Sequence, residues 1–211
     1  MRKLCISLLL FLMGCTPSAE QPDSLAGAES IDIDSARKEV FYWHVDDIFA
    51  LTDGGFVFID QIPEGITTLV DTPAKDLLLL ATFIQNEAGQ VVGIGSEHEE
   101  FHRPLTPEGK HDAIWTLLVS GRGTLIGHEI EVTTQETRAF LEKIRQMDEP
   151  WSGEFIARGT IGPAANGMGV VIGGTGEFAG ARGYMTEENI YRGFDGADYD
   201  VRTRLAFYLA N

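Results

Sequence analysis

Apolar and polar positions alternate with a period of two along most of the chain after residue 38, and turn residues interrupt the alternation at short intervals. Such a pattern is typical of antiparallel strands with one buried and one solvated face. The clearest run is the last, in which Val201, Thr203, Leu205, Phe207 and Leu209 alternate with Arg202, Arg204, Ala206 and Tyr208. Strands are predicted over residues 40–50, 56–62, 77–85, 91–101, 113–126, 154–161, 168–172, 181–190 and 201–209. The pattern therefore predicts an all-β domain, either a closed barrel or a sandwich.

One segment, residues 133–147, follows a helical period instead. Its apolar residues recur at helical spacing: Phe140, Leu141, Ile144 and Met147. Thr133 and Glu136 have the spacing of a capping box at its start, and Pro150 ends it. The sequence thus predicts one amphipathic helix inserted in the β domain, with its apolar stripe packed over a barrel end or a sheet face.

The first 14 residues have the features of a bacterial export signal. Arg2 and Lys3 form a cationic start, and a short apolar run follows that is too short to span a bilayer. Residues 12–15 (LMGC) resemble a lipobox, in which cleavage before Cys15 leaves that cysteine lipid-modified, for example with palmitate. The alternative is plain secretion after cleavage near Ala19. We expect a lipoprotein of the bacterial cell envelope, held to the membrane through Cys15.

Composition and charge reduce the number of functional classes to which the protein can belong. The chain of 211 residues has 16 Lys+Arg against 32 Asp+Glu and a net charge of −16, which argues against a nucleic-acid-binding protein. An acidic surface is repelled by anionic lipid, so membrane residence would depend on the acyl chains. Residues 15–37 are predicted to be a tether, and residues 38–211 to be a single β domain. The two cysteines, Cys5 and Cys15, both lie near the N-terminus, so no disulfide is expected in the domain.

Residues 98–102 (HEEFH) fit the metalloprotease pattern H-E-x-x-H, which requires a helix so that two imidazoles share one face. Gly93 and Gly95 precede the motif, Pro104 follows it, and the stretch alternates like a strand. A polar, solvated strand is the favoured interpretation, and a metal site of another kind on that strand stays open as an alternative. No metal or other cofactor is predicted.

Residues 174–179 (GTGEFA) match the dinucleotide-binding pattern G-x-G-x-x-A, but no helix or βαβ unit is predicted around them. They are predicted to form a glycine-rich connection between two strands. Residues 173–178 (GGTGEF) with 181–184 (ARGY) also resemble the G-G-T-G-[DE]-F-x-x-A-R-G-Y segment of dirigent proteins and allene oxide cyclases. Residues 56–60 (FVFID), continuing to the loop at 63–65 (PEG), are similar to a second landmark of that family.

The resemblance implies a single eight-stranded antiparallel β-barrel of calycin type, often trimeric, with a lumen for a small hydrophobic molecule. It also implies candidate residues: Asp60 as an acid or base, Arg182 to stabilise an oxyanion, and Glu177 and Tyr184 to contact the ligand. The structural alternatives are a hairpin ion pair between Glu177 and Arg182, and a turn-capping role for Asp60.

Two classes of function follow from these expectations. The first is an isomerase or cyclase of allene oxide cyclase or dirigent type, which imposes a conformation on its substrate in the lumen. The second is a non-catalytic lipoprotein that carries a small hydrophobic ligand or has a structural or interaction role. A zinc hydrolase, which would need His98, is a third alternative. Neither resemblance nor fold chooses between catalysis and binding.

Overall fold

The computed structural model describes residues 31–53, 56–59, 77–101, 109–147 and 149–210. Within these residues the chain forms twelve strands and one α-helix. In chain order they are β1 (Arg37–His44), β2 (Ile48–Asp53), β3 (Phe56–Ile59), β4 (Leu77–Gln85), β5 (Val91–Phe101), β6 (His111–Val119), β7 (Gly123–Glu131), α1 (Gln135–Arg145), β8 (Trp151–Arg158), β9 (Thr160–Gly162), β10 (Gly169–Gly174), β11 (Gly183–Phe194) and β12 (Tyr199–Leu209). Within the described residues, no helix is both long and apolar enough to cross a membrane.

Eight of the strands close into an antiparallel barrel in the order β1-β12-β11-β10-β7-β6-β5-β4. A bridge between Tyr42 on β1 and Gln85 on β4 closes the ring. The short strands β2 and β3 form a hairpin beside β4, while β8 pairs with the distal half of β11 and β9 pairs with β7. The predicted all-β, eight-stranded antiparallel barrel with one inserted helix is confirmed.

Apolar side chains fill one end of the barrel lumen. Period-two alternation turns every second residue of each strand inward, and the inward residues form one cluster. Its buried members are Phe41, Leu51, Leu80, Ile84, Trp115, Leu117, Val119, Leu125, Val171, Phe178, Met185, Leu205, Phe207 and Leu209. The core of the domain is therefore the barrel interior.

The helix packs on the outside of the barrel. Leu141 and Ile144 are buried against Phe194, and Phe140 contacts the rings of Trp151, Phe155 and Tyr191. The predicted helix is confirmed, but its cap is Thr134 rather than Thr133, since the Thr134 hydroxyl accepts a hydrogen bond from the Thr137 amide at 3.1 Å. Met147, predicted to belong to the apolar stripe, lies beyond the last turn and is exposed.

The predicted strand over residues 40–50 is wrong, because a short 3₁₀ turn at Val45–Asp47 divides it into β1 and β2. The His44 side chain accepts a hydrogen bond from the Asp46 amide, and the Asp47 carboxylate accepts one from the His44 amide. Asp47 also accepts a hydrogen bond from Gln85 on β4 at 2.7 Å. Local side-chain capping therefore overrides the apolar alternation at this point.

The predicted strand over residues 113–126 is wrong for a similar reason, because it contains the hairpin between β6 and β7. The Arg122 amide donates to the Val119 carbonyl, and Gly121 and Gly123 have φ angles of +73° and +123°. Positive φ is readily accessible only to glycine, so these two residues permit the reversal. The predicted strand over residues 154–161 likewise divides between β8 and β9.

The glycine-rich segment forms the connection from β10 to β11, as predicted. A single 3₁₀ turn at Gly176–Phe178 follows β10, and no α-helix follows, so the dinucleotide pattern has no structural counterpart. Gly176 has φ of +61°, and a Cβ there would lie 2.3 Å from the Arg122 carbonyl oxygen. The segment therefore packs directly against the β6–β7 hairpin, and the lack of a side chain at Gly176 allows the two backbones to come this close.

Candidate functional site

Three of the four residues suggested by the resemblance, Glu177, Arg182 and Tyr184, lie in the described part of the chain, and these three do not share one site. Arg182 and Glu177 are exposed, and Tyr184 is buried on the face of β11 opposite the lumen-facing Met185. The Arg182 guanidinium donates to the carbonyl of Ala181 at 2.8 Å rather than to Glu177. Asp60 and Cys15 lie outside the described residues.

Glu177 is paired instead with Arg122, on the β6–β7 hairpin at the apolar end of the barrel. Arg122 donates two hydrogen bonds to Glu39, at 2.7 and 3.0 Å, and one to Glu177 at 2.8 Å. Its guanidinium also lies over the Phe178 ring, 4.9 Å from the centroid. The bonds to Glu39 and then Glu177 raise the pKa of Arg122 above its ordinary value. This network joins β1, the hairpin and the glycine-rich connection.

We expect the Arg122–Glu39 pair to stabilise the barrel. Arg122→Met leaves the largely buried Glu39 carboxylate without its two donors, so the variant should unfold at lower denaturant than the wild type. In a double-mutant cycle with Glu39→Gln, the coupling free energy should be about 1–3 kcal/mol. Urea unfolding of the four proteins measures it. A coupling free energy near zero would contradict this expectation, because it would mean that water replaces the hydrogen bonds between Arg122 and Glu39 without loss of stability.

A cluster of acidic side chains occupies the other part of the lumen. Glu97 and Glu99 on β5, Glu129 and Glu131 on β7, and Glu187 on β11 all lie on the inward face of their strands. Four of them are buried: Glu97, Glu129, Glu131 and Glu187. Because charged side chains are seldom buried without a cationic partner, four buried carboxyl groups in one chamber point to a functional site.

One hydroxyl on β9 contacts both the carboxyl group of Glu129 and the backbone of Glu187. Thr160 donates to Glu129 Oε2 at 2.5 Å and accepts from the Glu187 backbone amide at 2.6 Å. The neighbouring Gly159 extends the connection, since its amide donates to the Glu187 carbonyl and its carbonyl accepts from the Val132 amide. The Gly159–Thr160 corner therefore holds β7 and β11 in register around the acidic cluster.

Glu187 has the most complete set of partners. Its Oε2 accepts a hydrogen bond from Trp115 Nε1 at 3.0 Å, and its Oε1 lies 3.4 Å from the Asn189 amide nitrogen, which donates. Asn189 in turn accepts from the Thr203 hydroxyl at 2.7 Å. This chain of hydrogen bonds orients the carboxyl group and links it to the aromatic part of the lumen.

Three of the other carboxyl groups have an oxygen that meets no hydrogen-bond donor when the groups are ionised. Among the described residues, no donor reaches Oε1 of Glu97, Glu129 or Glu131, and only a proton on one of them lets Glu131 hydrogen-bond with Glu97 and Glu129. Burial, followed by the charges of neighbouring carboxylates, raises the pKa of each of these three groups well above its ordinary value. For Glu187, burial raises the pKa to about 8. Buried carboxylate oxygens without a hydrogen-bond donor lower the stability of the fold unless a proton, a cation or a ligand binds to them.

The cluster reaches solvent at Glu99 and His111, whose side chains are 11% and 15% exposed. His111 Nε2 lies 3.2 Å from Glu99 Oε2 and 3.8 Å from Glu131 Oε2. His111 Nδ1 lies 3.0 Å from the Gly109 carbonyl oxygen. A carbonyl oxygen only accepts, so Nδ1 must carry a hydrogen, and Nε2 is the nitrogen that faces the carboxylates.

The acidic cluster was not among the sites predicted from the sequence, although the sequence contains a signal for it. On β7, strict alternation places Glu129 and Glu131 on the same face as Leu125. Two glutamates at positions where apolar residues are expected are the signal that these carboxyl groups face the lumen. On β5 the H-E-x-x-H motif contributes its glutamate, Glu99, to the cluster, while His98 and Glu100 are exposed on the outer face of the strand. His102 lies outside the described residues. The prediction that residues 91–101 form a strand is confirmed.

No protein-family model matches the sequence, and no curated protein matches it either. Two solved structures are similar to the chain. One is described as a pyocyanin demethylase, with 13% identity, a TM-score of 0.40, and coverage of 82% of this chain and 100% of that chain. The other is the pterocarpan synthase dirigent protein PsPTS1, with 15% identity, a TM-score of 0.43, and coverage of 86% and 99%. A dirigent protein, from the family that residues 173–184 resemble, is therefore among the similar structures, while the barrel architecture rests on the strand pairing itself.

Proposed function

We propose that this protein binds a small, mostly apolar molecule in the barrel lumen, with the polar end of the molecule against the acidic cluster, and promotes its isomerisation or cyclisation. The observation that supports this proposal is the set of buried, unpartnered oxygens on Glu97, Glu129 and Glu131. Such groups are retained in a folded chamber at a cost in stability, which is typical of a site that awaits its ligand.

The aromatic wall beside the cluster suits the apolar part of such a ligand. Trp43 and Trp115 lie with ring centroids 6.1 Å apart, and Trp115 contacts Glu187 through its indole N–H. The indole N–H of Trp43 is also buried, and it has no hydrogen-bond acceptor among the described residues. The barrel interior therefore contains one indole N–H without an acceptor and several carboxylate oxygens without a donor, next to apolar ring surface.

The arrangement of the carboxyl groups suits proton transfer within one bound molecule. One oxygen of each of Glu97, Glu131 and Glu187 lies within 4.8 Å of the other two. Two such groups can contact neighbouring atoms of the same ligand, so that one carboxylate removes a proton while a second carboxyl group delivers one elsewhere. A double bond then moves, and the product is an isomer of the substrate with no net oxidation. The alternative is binding without turnover in a carrier or interaction protein.

Native mass spectrometry of the protein purified from its own host tests the proposed binding. We expect a non-peptidic mass of one molecule per barrel, depleted at least tenfold in Glu97→Gln. Glu100→Gln is the matched control, because Glu100 is on the exposed face of the same strand. The subunit count in the same spectra tests the expected trimer.

An empty barrel would also result if the natural ligand dissociated during purification, so a second measurement uses an added probe. The neutral fluorophore N-phenyl-1-naphthylamine should change the tryptophan emission of the wild type, and Trp43→Phe should reduce that change. A barrel that is empty from its host and also leaves its tryptophan emission unaltered with this probe would contradict ligand binding in the lumen.

We also propose that the chain is anchored in the bacterial envelope through a lipid on Cys15, with the segment between Cys15 and β1 as the tether. A flexible coil of about 20 residues reaches about 25 Å, enough to hold the barrel clear of the lipid headgroups. We expect Cys15→Ser to move the protein from the membrane fraction to the soluble fraction and to abolish labelling by palmitate. Unchanged fractionation of the variant would contradict the anchor.

A further inference from the structure

The mouth of the acidic cluster has the geometry of a metal-binding site. Glu99, His111 and Glu131 each offer one ligand atom, and these atoms lie within 4.8 Å of one another. In a tetrahedral site with metal–ligand bonds of about 2.0–2.2 Å, neighbouring ligand atoms are about 3.4 Å apart, which is close to the 3.2 and 3.8 Å that separate His111 Nε2 from the oxygens of Glu99 and Glu131. The three groups can therefore share one ion with small side-chain adjustments.

The orientation of His111 supports a ligand role independently of the acidic residues. Its Nδ1–H donates to the Gly109 carbonyl, which leaves Nε2 directed at Glu99 and Glu131. Histidines that bind metals commonly donate their second ring N–H to a backbone carbonyl in this way. In the neutral ring, the Nε2 lone pair would face two carboxylate oxygens, so either a proton or a metal ion between these atoms would relieve their repulsion.

The buried oxygens provide a second observation. As carboxylate oxygens, Glu131 Oε1 and Glu97 Oε1 meet no hydrogen-bond donor among the described residues, although the two residues are only 7% and 4% exposed. Glu131 also belongs to a second set of close ligand atoms, with Glu97 and Glu187. A cation at the mouth would thus lie beside further oxygens that can complete its coordination.

We infer that Glu99, His111 and Glu131 bind a divalent first-row transition metal ion at the mouth of the lumen. The mixed set of one imidazole and two carboxylates favours Mn²⁺, Fe²⁺ or Zn²⁺ over Mg²⁺ and Ca²⁺, which prefer oxygen ligands alone. Glu99 is also the glutamate of the H-E-x-x-H motif, but the site does not use the first histidine of that motif, because His98 is on the opposite, outer face of β5. It goes beyond the proposed function, since a metal can bind whether or not an organic ligand does.

Metal titration of the EDTA-treated protein tests the inference. Calorimetry with Zn²⁺ and electron paramagnetic resonance with Mn²⁺ should each report one ion per chain. We expect His111→Gln, Glu131→Gln and Glu99→Gln to weaken binding by more than about tenfold. His98→Gln and Glu100→Gln, on the outer face of the same sheet, should leave affinity unchanged. Circular dichroism of each variant verifies that the barrel is folded.

Two results would overturn the inference: no stoichiometric binding of either ion to the wild type, or binding that is lost with His98→Gln and retained with His111→Gln. The thermal unfolding midpoint gives an independent readout, because an ion that binds only the folded state must raise it. The naphthylamine titration, repeated in EDTA, separates the two proposals. A probe that still binds would leave ligand binding supported while the metal site failed.

Discussion

In protein stripped of metal, the free energy of unfolding should fall as the pH rises from about 4.5 to about 8, and Glu187→Gln should remove the part of that fall that Glu187 contributes. Burial raises the pKa of Glu187 from 4.5 to about 8 in the folded chain. Between these values the folded state holds a proton that the unfolded state has released, so a rise in pH favours unfolding. Below this window both states are protonated, and above it both are ionised.

The expected effect is large for a single side chain. A difference of roughly 3.5 pKa units corresponds to about 5 kcal/mol of lost stability across the window, and Glu97, Glu129 and Glu131 shift in the same direction. Gln keeps the size of the side chain and an acceptor for Trp115 but has no charge to bury. The variant should therefore be more stable than the wild type at pH 8 and nearly equal to it at pH 4.5.

Urea unfolding at several pH values, with EDTA present, gives the comparison. Glu154→Gln is the control, because Glu154 is exposed on β8 and its loss should leave the pH dependence unaltered. Two parallel stability profiles for wild type and Glu187→Gln would contradict the expectation. They would mean that water enters the chamber and solvates the carboxylate in the folded state.

Much of the fold could be predicted from the sequence because alternation is a local property. The bounds of β4 and β5 match their predicted ranges, since each strand ends at turn residues such as those around Asn86 and Gly89. The prediction failed where a capping interaction or a tight hairpin reversed the chain inside an apolar run. Both events depend on one or two side chains or glycines, which periodicity over a window does not register.

The acidic cluster could not be predicted by the same reasoning, for a physical reason. On β5, polar residues occupy both faces, so alternation assigns Glu97 and His98 to opposite faces without saying which one is inside. The pairing of Glu97 opposite Trp115 and of Glu187 opposite Leu205 fixes the inner face, and those partners are far apart in sequence. Glutamate side chains are also seldom buried in folded proteins, so residue type alone predicts that each of these glutamates lies on the surface.

Part of the segment that resembles dirigent proteins has a role in the backbone packing of the barrel. Gly183, within the ARGY segment, pairs with Leu209 where β11 meets β12. A Cβ on Gly183 would lie 1.9 Å from the Tyr208 carbonyl oxygen, far inside van der Waals contact. The neighbouring strand therefore comes as close as it does because residue 183 has no side chain.

Gly183→Ala should consequently destabilise the barrel by more than about 4 kcal/mol, or prevent folding altogether, since only a backbone shift of β11 or β12 can relieve the contact. Gly180→Ala is the matched control three residues earlier. Gly180 has φ of +72°, but a Cβ added there would have no atom within 4 Å, so alanine should cost only about 1–2 kcal/mol of conformational strain.

Thermal unfolding distinguishes the two effects, with midpoints lowered by roughly 8 °C or more for Gly183→Ala and by only a few degrees for Gly180→Ala. Equal losses would show that conformational strain, and not the contact with Tyr208, makes these glycines necessary. Because Gly183 is four residues before Glu187 on β11, a displaced strand should also disturb the acidic cluster. A folded Gly183→Ala protein should thus have weaker metal binding than Gly180→Ala, which connects the backbone of the glycine-rich segment to the chemistry of the lumen.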